Sequence, residues 1–261
     1  MMEFLTEVFD KTIEILGSAT LVGGLVALFA QEKIKGFTNK NVEKFKAELK
    51  SAHDVEMKAL DRKLKVEDEM QEYKLSFLHS LNDLQSRIYH LVKSDMAGKY
   101  YKNGDEQSKD YVVNNTVFLI GQYFAWLEKI RTEVQFIQLA DSNDTNTLSK
   151  LLDQTVTVWQ ENLEGKATFA VWAGNQRAIG EVMLEKTDSG RHCIGYGKFL
   201  TEFSNKKNPI VANLDIQVLA LLDDVGASLD RLKSIHSVLI DTIILIDKDQ
   251  KIERKFLEKL V

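Results

Sequence analysis

Residues 15–30 read Ile-Leu-Gly-Ser-Ala-Thr-Leu-Val-Gly-Gly-Leu-Val-Ala-Leu-Phe-Ala, sixteen positions without a charge. As a helix this run spans about 24 Å, short of a hydrocarbon core of about 30 Å. Phe4, Leu5, Val8, Phe9, Ile13 and Leu16 continue one apolar face ahead of it, opposite Glu3, Glu7, Asp10 and Glu14. A helix from about residue 4 to residue 34 is therefore long enough to cross, with its first turns at the interface. Three rival readings are weaker. A cleaved leader wants a basic start, and this one is acidic. A helix lying flat on a membrane wants a basic polar face. A helix buried in a soluble core suits the shortness and glycine content of the run. Ala19, Gly23 and Ala27 recur every four residues, with Thr20 and Gly24 beside them. That small-residue spacing lets membrane helices approach closely and points to self-association.

The flanks set an orientation. Lys33, Lys35, Lys40, Lys44, Lys46 and Lys50 follow the run, whereas Lys11 alone precedes it. The positive-inside rule places the N-terminus outside and everything after the anchor in the cytoplasm. The single cysteine, Cys193, excludes an internal disulfide framework and suits a reducing compartment. The sequons at Asn114 and Asn143 then never meet a glycosylation machinery.

One proline in 261 residues and few turn dipeptides predict an all-α protein. Residues 1–36 form the membrane anchor, residues 37–68 a charged helical stalk, and residues 69–261 an antiparallel helical-bundle head. The stalk has only Val42, Phe45, Leu49 and Ala52 as a regular seam, which fails at Glu56 and Lys63. It reads as a solvated spacer of roughly 48 Å, with a weak self-associating coiled coil as the alternative. A formal net charge of -5 with a pI near 5.7 gives no reason to expect nucleic acid as a partner.

Within the head, Tyr73, Phe77, Leu81, Leu84, Ile88 and Leu91 predict an amphipathic helix ending near Met96, followed by a loop over 99–109. Residues 110–139 read as the most apolar helix, with Val113, Ile120, Tyr123, Leu127 and Ile130 on its main seam and Trp126 on a second stripe. Asn114, Asn115, Thr116 and Gln122 argue against this helix spanning a membrane. Residues 147–163 form a short helix after a polar turn. Phe169, Trp172, Gln176, Ile179 and Met183 mark another, followed by a loop over 186–191. Cys193, Tyr196, Leu200 and Phe203 make one more. Asn208 as cap and Pro209 at the first helical position open the longest element. There Val211, Val218, Val225, Leu232, Leu239 and Ile246 recur every seven residues and predict one long helix. In the tail, Ile252, Phe256 and Leu260 share a face that docks on the bundle, with a partner-binding helix as the alternative.

The polar cluster that invites chemistry lies on two of these helices. Glu128 and Arg131 are three apart, Arg177 and Glu181 four apart, and Gln176 falls on an apolar seam where an amide needs a partner. Facing one another, these five residues make either a register-setting network or a pocket for a small anionic ligand. An acid–base site wants a carboxylate or histidine set against a nucleophile, and none accompanies the cluster. The histidines show no ligand spacing, so neither a metal nor a cofactor is expected. Gly195-Tyr-Gly197 lacks the strand and helix that a phosphate loop requires.

The strings Gln122-Tyr-Phe-Ala-Trp-Leu-Glu128, Glu133-Val-Gln-Phe136 and Gln176-Arg-Ala-Ile-Gly-Glu181 resemble those of uncharacterised bacterial proteins with an N-terminal hydrophobic segment. The likeness covers roughly residues 70–245 and implies a bacterial source but no activity. The function expected is non-enzymatic: a membrane-anchored scaffold or sensor acting through protein contacts, able to self-associate through its anchor or stalk. An anchored small-ligand sensor and a membrane-disrupting effector of a defence or toxin system are the alternatives.

Overall fold

The computed structural model describes residues 39–133, 142–160, 169–187, 190–204, 207–252 and 256–260. The anchor, with its stripe Ala19, Thr20, Gly23, Gly24 and Ala27, lies outside the described residues. Among those described, no helix is long and apolar enough to cross a membrane. The chain is mostly helical and divides into two units, residues 1–66 and 67–261. Helix α1 (Asn39–Lys93) contributes to both. In the first unit, the side chains described over residues 44–61 are exposed, apart from half-buried Leu49.

In the second unit, α1 buries Phe77, Leu81, Leu84, Ile88 and Leu91 and ends at Lys93, after which Asp95, with a φ of 50°, turns the chain. A π-helical turn, Ala97–Lys102, follows where a loop was expected. Its wide spiral closes on Asn103, whose backbone N–H donates to Gly98 O at 3.1 Å. Gly104 then passes so near the turn that a Cβ there would sit 2.1 Å from Tyr100 O. Asp105 caps α2 (Glu106–Glu133) by accepting from Ser108 N at 2.8 Å, which also holds its carboxyl below the usual range. The helix therefore starts four residues earlier than the apolar pattern indicated, because the cap and not the pattern sets its first turn.

Helix α2 is the centre of the head. Tyr123 stacks on Phe77 of α1 at 6.3 Å. Trp159 of α3 (Ser142–Gln160) meets Tyr123 at 6.3 Å and the Phe124 edge at 5.0 Å, and Phe169 closes the cluster on Trp159 at 5.7 Å. Each such pair adds about 0.5–1.5 kcal/mol to the apolar burial. Residues 169–172 run extended and are held by side chains. Phe169 N donates to Ser228 Oγ at 3.3 Å, and Ala170 N to Gln217 Oε1 at 3.3 Å. The helix expected over 169–183 consequently begins only at α4 (Ala173–Val182), and Trp172 is 64% exposed at its cap instead of lying on the seam.

Two strands, β1 (Leu184–Thr187) and β2 (Gly190–Cys193), pair antiparallel with Leu184 opposite Cys193 where a loop was expected. Neither strand alternates apolar with polar residues. What keeps the hairpin in place is Lys129 of α2, whose ammonium donates to Arg191 O, and Arg191, which donates to the Thr132 hydroxyl. Helix α5 (Tyr196–Glu202) then buries Phe199 and leaves Leu200 exposed, and Cys193 belongs to β2.

The long C-terminal helix is in fact two. Asn208 caps α6 (Pro209–Asp223), accepting from Ile210 N at 2.9 Å with proline in the first turn, as the sequence indicates. The chain breaks at Asp224, whose carboxylate accepts from Ala227 N at 3.0 Å, and a short 3-10 turn leads into α7 (Leu229–Ile246). The heptad survives the break as burial: Val211, Val218, Leu232, Leu239 and Ile246 are all in the core. Arg231 is buried across the end of α3, donating to Trp159 O at 2.9 Å. In the tail, Ile252 and Leu260 are buried and Phe256 stacks on Tyr89 at 4.4 Å.

The α2–α4 crossing depends on Gly180. A Cβ there would lie 2.5 Å from Phe124 O and 2.9 Å from the Glu128 Cβ. Backbone cannot yield as a side chain does, so Gly180→Ala should lower unfolding stability by about 1–3 kcal/mol in a denaturant titration. His236 of α7 is fully buried beside Tyr89, with both ring nitrogens unpartnered. Burial pushes its pKa down to about 4 from 6.5. A depressed histidine binds its proton in the unfolded chain first, so the stability it permits is present above pH 6.5 and lost as pH falls toward 4. Melting temperature should drop less steeply between these pH values in His236→Leu than in the native protein; parallel curves would exclude this role.

Candidate functional site

Helix α2 presents Glu128 and Arg131 toward α4, which carries Gln176, Arg177 and Glu181. Because Gly180 lets the helix backbones approach, four of these five residues line one cavity of about 260 Å³, together with Phe124 and Leu127. Glu181 is not in its wall. Ser149 and Asp153 of α3 complete the polar rim.

The two expected ion pairs fare differently. Glu128, 3% exposed, takes a two-pronged contact from Arg131, with Nε donating to Oε2 at 2.9 Å and Nη2 to Oε1. The carboxylate hydrogen bond raises the Arg131 pKa, with a further contribution from Glu181. Arg131 itself is 50% exposed, which limits what the pair adds to stability. Arg177 and Glu181 do not pair. Both are exposed, and among the described residues Arg177 has no ion-pair partner. Four-residue spacing permits contact on a helix but does not oblige it when water solvates both groups.

Gln176 is the buried member, 4% exposed. Its Nε2 donates to Val171 O at 2.7 Å and Val156 O at 3.1 Å, pinning the extended segment and α3 to α4. Its Oε1 has no partner and is buried. Among the described residues the cavity thus holds one unsatisfied acceptor, one ion-paired carboxylate and, at its rim, Arg177 without an ion-pair partner. That set suits a small polar ligand with an N–H or O–H donor, and contains no nucleophile with a base beside it.

Periodicity overlooked a second polar centre. Arg87 of α1 is 7% exposed, three residues after Leu84 and four before Leu91, on the buried face of the helix. A charged residue at such a position was the available signal. Its guanidinium donates to Met96 Sδ at 3.0 Å and to Asn115 Oδ1, hydrogen-bonds Tyr111, and lies 5.9 Å from the Tyr111 ring centre. Burial holds its pKa below the usual arginine value. Cys193 is a poor nucleophile, since burial and then Glu185 push its thiol up to about 12. Among the described residues no group of histidines, cysteines and carboxylates could hold a metal ion.

Compared with known protein families, curated proteins and solved structures, the chain matches none.

The two roles within the first cavity separate by substitution. Gln176→Leu removes both bonds and strands the buried Val171 carbonyl, which should cost about 1–3 kcal/mol of stability, whereas exposed Arg177→Ala should stay within about 0.5 kcal/mol of the native protein. Paired thermal melts read both; a large loss in Arg177→Ala would mean that the cluster is a coupled network after all.

Proposed function

We propose that the chain is a single-pass membrane-anchored helical scaffold or sensor, with its N-terminus outside and residues 37–261 on the cytoplasmic side. The observation that carries this reading is the uncharged run at 15–30, followed at once by a lysine-rich segment. The exposed first part of α1 adds support. Val55, Met57 and Leu60 face solvent there without forming a heptad stripe, as in a solvated spacer. The head is a helical bundle with a closed aromatic core, suited to presenting surfaces to a protein partner. The stripe Ala19, Thr20, Gly23, Gly24 and Ala27 supports self-association within the membrane.

A second reading, an anchored small-ligand sensor, has one specific observation in its favour: the unpartnered Gln176 Oε1 in the wall of the cavity that Arg131 and Arg177 border.

The deciding experiment is carbonate extraction of membranes from cells making the full-length protein. The native chain should remain in the pellet. A Leu21→Arg, Leu25→Arg double variant should be released, because each charge costs about 2.5–3.5 kcal/mol at the centre of a spanning helix. A native protein that is soluble and monodisperse without detergent would remove the anchor and return residues 15–30 to a protein core.

A further inference from the structure

Arg87 is a buried cation whose partners are all neutral. A thioether, an amide oxygen and a phenol satisfy some of its five N–H groups but do not balance its charge. Among the described residues no carboxylate lies within ion-pair distance of it. Asp83, one turn earlier on α1, keeps an exposed edge, but partial burial of its carboxyl raises its pKa, and the group that offsets this is His79, not Arg87. An uncompensated buried guanidinium is costly unless something anionic arrives to pair with it.

There is room for that anion. Arg87, Asp83, Ser86 and Asn115 line a cavity of about 300 Å³. His90 and Met96 form part of its wall and also part of the wall of a larger cleft of about 650 Å³. That cleft is bordered by Lys99, Ser94, Ser108 and the half-exposed rings of Tyr100 and Tyr111. The larger volume lies in the range of small-ligand sites, and flat aromatic walls beside cationic and hydroxyl donors favour an organic anion over a bare ion.

We propose that this is a binding site for a small phosphorylated molecule, its phosphoryl group seated on Arg87 and its organic part in the cleft beside Tyr100 and Tyr111. Arginine suits this task because its planar fork donates two parallel bonds to a phosphoryl group. The π-helical turn is what makes the site, since it carries Lys99 and Tyr100 to the cleft from a segment too short for a separate helix. The proposal concerns the head alone and is independent of the anchor. It is also distinct from the cavity at Gln176, which shares no residue with it.

The test is thermal stabilisation and calorimetric titration of the full-length protein in a neutral detergent, at constant ionic strength, with inorganic phosphate, adenosine monophosphate and glycerol 3-phosphate. Both organic phosphates should protect at about tenfold lower concentration than inorganic phosphate. Adenosine monophosphate binding more tightly indicates a free aromatic phosphate; glycerol 3-phosphate binding more tightly indicates a lipid headgroup. Arg87→Met should abolish protection by all three. Asp83→Asn removes the carboxylate from the cavity wall and should tighten binding several-fold. The proposal fails if no phosphate protects beyond a chloride control, or if protection survives Arg87→Met. Should Arg87→Met not fold, an unchanged affinity in Asp83→Asn overturns it.

Discussion

Helix α2 is buried on more than one side, so the polar groups along it must find their partners within the protein. That requirement organises the head. Asn115 accepts from Arg87 and so fastens α1. Lys129, fully buried, sends its ammonium to Arg191 O and over the Tyr73 ring at 4.3 Å, fastening the hairpin and α1 together. Glu128 holds Arg131 within its own helix, and Thr116 returns its hydroxyl to Val112 O at 2.6 Å. The apolar contacts around Tyr123 and Trp159 supply the burial. The polar ties help decide which element sits where, because a buried group left unpaired costs about 1–3 kcal/mol.

Both cavities of interest flank this helix, and each exists where the satisfaction is incomplete. Between α2, α3 and α4, Gln176 spends its two N–H groups on backbone carbonyls and leaves an acceptor over. Beside the first turns of α2, Arg87 has hydrogen-bond partners but no counter-charge among the described residues. The difference matters chemically. An unpaired amide oxygen is satisfied by a water or any donor, whereas an unbalanced guanidinium selects for negative charge. The second site therefore makes the narrower demand on a ligand.

Much of the helical layout was legible because burial on a helix leaves a period. The stripes Phe77–Leu81–Leu84–Ile88–Leu91 and Val211–Val218–Leu232–Leu239–Ile246 lie in the core as their spacing indicates. The Asn208–Pro209 cap works as written, because capping is a local bond between neighbouring residues. Where the structure departs from the pattern, polar bonds outside it decide the local chain path. Asp224 accepts from Ala227 N and splits a heptad run that continues on both sides. Asp105 starts α2 before its apolar stripe begins. The hairpin at 184–193 has no alternating pattern, since contacts from α2 position it and not a buried face of its own.

The candidate site divides along the same line. That Glu128, Arg131, Gln176 and Arg177 share one cavity follows from their places on two apolar helices, but which of them pair did not follow. Arg131 met Glu128, while Arg177, equally well spaced from Glu181, stayed in water. Arg87 went unremarked in the apolar pattern, although its place between Leu84 and Leu91 puts it inward. By itself the sequence determined the helical class, the Asn208–Pro209 cap and the main apolar stripes, since these depend on spacing and on neighbours along the chain. Only the tertiary structure decided which partner each buried polar group receives, because that partner comes from a distant segment and periodicity records burial, not company.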